Sequence, residues 1–120
     1  YIAMVKSFGA HVFYHSCGGI TLIIDDLIEI GVDILDPLQL NAMKLTPTQL
    51  IEKCGDRIAL HGGLDTQGLL VKGSAGEVRE MAAELKKQLG KHNKYILSAS
   101  HLIQMDVPVE NIKAMVDEVS

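Results

Sequence analysis

A chain of 120 residues is one domain or less. Its 48% apolar content is ample for a core, while a 4% aromatic share points to Ile, Leu, Val and Ala packed between short glycine turns, as in mixed α/β proteins. A net charge of −4, with Arg57 and Arg79 the only arginines, argues against a nucleic-acid face.

The apolar run from Ile20 to Ile24 stops at Asp25-Asp26, far short of a membrane span. No signal peptide or lipidation motif is visible, and two cysteines make no disulfide framework, so a reducing cytoplasm is the expected setting. The chain opens at Tyr1 without a methionine, in what reads as the tail of a helix over Ile2 to Ser7, as if cut from something longer.

Strand one is predicted over Ala10 to Tyr14, running into His15-Ser16-Cys17 and a Gly18-Gly19 turn. Side chains alternate along a strand, so His15 and Cys17 point the same way. An imidazole beside a thiol is half of a zinc site, or a nucleophile with its base. The plain alternative is a core histidine next to a small buried thiol. Helix one, Ile20 to Ile30, places Leu22, Ile23, Leu27 and Ile30 on one stripe and closes at Gly31. Strand two is Val32 to Leu35, ended by Asp36-Pro37, and a loop from Leu38 to Leu45 follows.

Thr46-Pro47 is an N-cap with proline in the first turn, and Gln49 completes a capping box, so helix two runs from there to Cys54-Gly55. Strand three is Arg57 to His61, followed by Gly62-Gly63-Leu64-Asp65. Ser74 and Glu77 form a second capping box opening helix three, which reaches Leu89-Gly90. Strand four is Lys94 to Ser98, and Pro108 starts a last helix that continues to the end.

Four strand–helix units without a hairpin signal argue for a parallel sheet. Two architectures satisfy that pattern: a flavodoxin-like open sheet, and half of a (β/α)8 barrel, which normally needs about 250 residues. Both place ligands at the carboxyl ends of the strands. There the chain carries His15 and Cys17; then Asp36, Gln39 and Asn41; then His61, Asp65 and Gln67; then Ser100, His101 and Gln104. The turns feeding the strands instead hold Lys53, Cys54, Asp56, Arg57, Lys91, His92 and Lys94, an ordinary solvated set with Cys54 as a structural residue. Gathering histidines and a cysteine on one rim favours a functional reading of His15 and Cys17, with Asp36, Gln39 and His61 as substrate-binding candidates. Asp36 could equally do no more than shape the turn before Pro37, and Asp65, after two glycines, could orient a histidine or bind substrate.

His15-Ser16-Cys17-Gly18, Gly31-Val32-Asp33-Ile34-Leu35, His61-Gly62-Gly63-Leu64-Asp65, Ser100-His101 and Pro108-Val109-Glu110-Asn111-Ile112 fall in an order that resembles the C-terminal half of the uroporphyrinogen decarboxylase superfamily. The resemblance spans essentially the whole chain. It implies one partial domain, residues 1–120, supplying strands five to eight of a TIM (β/α)8 barrel, in a parent that is an enzyme.

The superfamily has two branches. Its decarboxylases use no metal or cofactor: they hold a carboxylate-rich tetrapyrrole and protonate a pyrrole carbon, and they imply catalytic parts for His101 and Asp65. Its zinc-dependent methyltransferases take a methyl group from a corrinoid protein to a small thiol, and they imply zinc ligands at His15, Cys17 and His101, the last standing where that branch has cysteine. The His-x-Cys favours the methyltransferase branch, with the lyase as alternative. A third alternative is a catalytically inert fragment, because half a barrel leaves sheet edges and an apolar interior open; self-association is the expected consequence.

Overall fold

A computed structural model describes residues 1–90 and 94–118, so Lys91 and His92 lie outside the described residues. Four strands, β1 (Phe13–His15), β2 (Ile34–Leu38), β3 (Ala59–Leu64) and β4 (Tyr95–Ala99), form one parallel sheet in the order β1-β2-β3-β4. The helices are α1 (Ile2–Ser7), α2 (Ile24–Glu29), α3 (Leu40–Met43), α4 (Pro47–Cys54), α5 (Leu69–Lys72), α6 (Ala75–Leu89) and α7 (Val109–Asp117). Strictly sequential order, with no reversal at any strand, separates this sheet from a doubly wound one. It is the arrangement of four βα units forming half of a (β/α)8 barrel.

The register shows why the two faces differ. Tyr14, Leu35, Leu60 and Tyr95 pair across all four strands and point one way. Leu35 and Leu60 are buried there against the helix layer, with Leu50 and Cys54 of α4 and Val78, Ala82, Leu85 and Leu89 of α6. Each fully buried leucine is worth about 1.5–3 kcal/mol relative to exposure. The opposite face carries Phe13, 51% exposed, and Ile96, 46% exposed.

Both predicted capping boxes are present: Thr46 with Gln49 opens α4 and Ser74 with Glu77 opens α6. Helix one is the element that differs. It begins as a 3-10 turn at Thr21–Ile23, and α2 follows from Ile24, which rotates the stripe. The buried residues are Ile20, Ile24 and Leu27; Leu22 is 92% exposed, and Ile23 and Ile30 also face outward. Two short helices, α3 and α5, occupy stretches expected to be loop.

The strands run further than their sequence stops. β2 continues through Asp36 and Pro37, which are joined by a cis peptide bond. The sheet tolerates a proline in a central strand because the β2–β3 register shifts between Leu35 and Leu38, where a donor would otherwise be needed. β3 likewise continues through Gly62 and Gly63, at φ +112° and +107°. A Cβ on Gly62 would stand 2.8 Å from the Leu38 nitrogen, and one on Gly63 2.9 Å from the Tyr95 hydroxyl, so only glycine fits. The Tyr95 hydroxyl donates to the Gly62 carbonyl at 2.7 Å, and burial pushes its pKa up.

Candidate functional site

The row that follows Tyr14, Leu35 and Leu60 by one residue turns to the open face. His15 pairs with Asp36 across β1 and β2, and His61 lies beside Asp36 on β3. One carboxylate therefore sits between two imidazoles: Asp36 Oδ2 is 2.5 Å from His15 Nδ1, and Asp36 Oδ1 is 2.5 Å from His61 Nδ1. The Asp36 side chain is 12% exposed, His61 23% and His15 58%, so the carboxylate is the buried centre of the row. Phe13, two residues before His15 on the same face, sets its ring edge-on to His61 at 5.2 Å between centroids.

The loop after β1 is pinned to the end of β2. The Ser16 N–H donates to the Asp36 carbonyl at 2.8 Å, and the Gly18 N–H donates to Gln39 Oε1 at 2.5 Å. These two bonds bracket Cys17 and bring its Sγ to 3.3 Å from His15 Nε2. The exit of β4 brings His101 across from His15, ring centroids 6.4 Å apart. Together His15, Asp36, His61 and His101 line a cavity of about 600 Å³ whose remaining wall includes Phe13 and Leu102. Phe13 went unpredicted, although the alternation that pairs His15 with Cys17 also puts Phe13 on that face.

The other rim residues go elsewhere. Gln39, Asn41, Asp65, Gln67 and Ser100 line a second cavity, about 550 Å³, bounded by Leu85 and Gln88 of α6. Asp65 shapes the turn after β3: its Oδ1 accepts from the Gln67 N–H at 3.0 Å and its Oδ2 from Asn41 at 3.4 Å. Ser100 is buried and its hydroxyl accepts from the Thr66 N–H at 3.3 Å. Gln104 is exposed. Gln39 serves both regions, since its side chain touches the second cavity while holding the Cys17 loop. Cys54 is fully buried at the end of α4, and that burial pushes its thiol up from 9.0 to about 11.

The donor set offers two corners of a zinc site. His15 Nε2 and Cys17 Sγ, 3.3 Å apart, are spaced as neighbouring ligands of a tetrahedral ion with bonds of about 2.0 and 2.3 Å. His101 stands off from them, and among the described residues no group of three His, Cys, Asp or Glu side chains is gathered closely enough to hold a metal. His101 would have to move to complete the set.

Four sequential parallel βα units, with a polar row near the carboxyl ends of the strands, place the chain in the class of (β/α)8-barrel proteins. The chain belongs to the uroporphyrinogen decarboxylase (URO-D) family, whose sequence model matches residues 1–120. A uroporphyrinogen decarboxylase from Psychromonas ingrahamii is 34% identical over 67 residues, a match covering 56% of this chain and 18% of that protein. Among solved structures, a methyltransferase from Methanosarcina mazei superposes with a TM-score of 0.79 over 98% of this chain and 33% of that one. At 22% identity that likeness is one of fold. The chain thus spans about a third of the solved relative's length. No described helix is long and apolar enough to cross a membrane.

Proposed function

We propose that this chain supplies strands five to eight of a cofactor-free decarboxylase barrel acting on a carboxylate-bearing tetrapyrrole. The observation that carries the reading is the cavity lined by His15, Asp36, His61 and His101 together with the apolar Phe13 and Leu102. The sequence match to a uroporphyrinogen decarboxylase supports the same branch. In the reaction a proton is added to a pyrrole ring carbon. The C–C bond to the leaving carboxylate then breaks, so that its electron pair enters the protonated ring as carbon dioxide departs. The exocyclic carbon takes up a proton as the ring carbon releases one. His101, across the cavity from His15, is the donor we assign to the ring protonation. The aromatic edge of Phe13 and the Leu102 side chain give a flat heterocycle an apolar wall. Two free thiols suit a reducing cytoplasm.

A second reading is kept for one observation, the 3.3 Å approach of Cys17 to His15. There, His15, Cys17 and a displaced His101 would hold zinc, which would supply Lewis-acid activation of a thiol accepting methyl from a corrinoid partner. The full-length protein tests both. Turnover of uroporphyrinogen after exhaustive chelation, lost by about 10²–10⁴-fold in His101→Ala, supports the lyase. Absence of decarboxylation, with zinc-dependent thiol methylation lost in Cys17→Ser, overturns it in favour of the second reading.

A further inference from the structure

Among the described residues Asp36 is the one buried carboxylate on the open face, and both of its oxygens are taken by imidazole Nδ1 atoms. A carboxylate can only accept, so the hydrogen in each contact belongs to the imidazole. A neutral imidazole carries a single N–H, so a ring that donates from Nδ1 has a bare Nε2. We infer that Asp36 is a positioning residue that holds neutral His15 and His61 together in the Nδ1–H form, so this row presents one bare Nε2 to Cys17, one to the cavity, and no Nε2–H donor.

The consequence differs for the two rings. His15 turns its bare Nε2 to Cys17, and the thiol hydrogen is directed at it over 3.3 Å. His61 lines the cavity and has no protein partner beyond Asp36 and Phe13 among the described residues. Its lone pair fits a ligand group that donates a hydrogen; within the lyase reading, on which only this clause rests, that group is a pyrrole N–H. The row thereby separates labour: His61 accepts from the ligand, while proton delivery is left to His101, which the carboxylate does not touch. The sheet register is what makes one carboxylate reach both rings, since β2 lies between β1 and β3.

The test needs no turnover and is indifferent to which reaction the site performs. In the 15N-histidine-labelled protein, two-bond 1H–15N correlation spectra report the tautomer of each neutral ring, with assignments from His15→Gln and His61→Gln. Two rings are expected in the Nδ1–H pattern, against the Nε2–H form histidine prefers in water. In Asp36→Asn the new amide has one donor and one acceptor group, so at least one of the two rings should switch to Nε2–H. Either ring found as Nε2–H in the wild-type protein, or an Asp36→Asn spectrum with both patterns unchanged, overturns the proposal. Should Asp36→Asn fail to fold, the wild-type spectrum alone decides. A residue that merely filled space at position 36 would leave the tautomers where they are.

Discussion

The two faces of this sheet are made from alternate residues of the same four strands, yet they are finished to different degrees. On the helix side Leu35, Leu38, Leu60 and Leu64 are all at most 2% exposed. On the other side Phe13 and Ile96 remain about half exposed, and the polar row of His15, Asp36 and His61 lies between them. The closed face is completed by the chain's own helices and carries the stability. The open face carries the candidate site and leaves its hydrophobic neighbours half exposed to water.

That contrast can be broken most forcefully on the closed side. Leu35→Ala and Leu64→Ala each remove a side chain with no exposure, and should cost about 2–5 kcal/mol by urea denaturation. Phe13→Ala, one residue-pair away on the open face, should cost far less than either. Equal losses from Leu35→Ala and Phe13→Ala would mean that the faces are not energetically distinct.

Alkali should act on the closed face through Cys54. Its thiol is raised to about 11 by burial, whereas in the unfolded chain it ionises near 9.0. The folded state therefore binds a proton that the unfolded state releases. Stability is full below pH 9 and falls as pH rises from 9 to 11, by on the order of 2 kcal/mol. Cys54→Ala should flatten that part of the curve. A wild-type unfolding free energy independent of pH across this window would count against the assigned burial effect.

Much of the closed face was legible in the sequence, and the reasons are local. Thr46-Pro47-x-Gln49 and Ser74-x-x-Glu77 fix helix starts through bonds made within four residues, and both are present. The parallel sheet followed from strand–helix alternation. The strand ends did not, because Pro37 and the Gly62-Gly63 pair read as stops until the neighbouring strand is in place to accommodate them. Helix one was misphased by a single 3-10 turn. At the site, His15 and Cys17 could be paired by alternation alone, but the convergence of His15 and His61 on Asp36 depends on inter-strand register. So does the division of the rim into two cavities, which takes Asp65 and Gln39 away from the histidines.

Smaller effects sharpen the same comparison at the helix starts. Thr46→Ala and Ser74→Ala should each cost about 1 kcal/mol, since both oxygens accept an N–H of the first turn. The Ser74 N–H and hydroxyl hold the Glu77 carboxyl below its usual range. Its contribution is therefore present above the ordinary glutamate pKa and fades as pH falls through the folded value. Glu77→Gln should make Ser74→Ala insensitive to acid; an unchanged pH dependence in the double variant would show that the box is not its source.

The smallest change in stability should accompany the largest change in association. Ile96 is 46% exposed on the open face, and Leu102 is 75% exposed on the wall of the histidine-lined cavity. Among the described residues β1 and β4 each pair with one neighbouring strand, which leaves two sheet edges flanking this apolar face. The 120-residue chain by itself should therefore self-associate, and light scattering should give a mass above 13.1 kDa. Ile96→Asp should alter the unfolding free energy by less than about 0.5 kcal/mol, because the side chain is already half in water, and yet move the mass toward the monomer. A monomer in the unsubstituted chain at high concentration would show that the exposed face is tolerated in water. Association undiminished in Ile96→Asp would shift the responsibility from that face to the strand edges, which a proline at Ile96 would then interrupt.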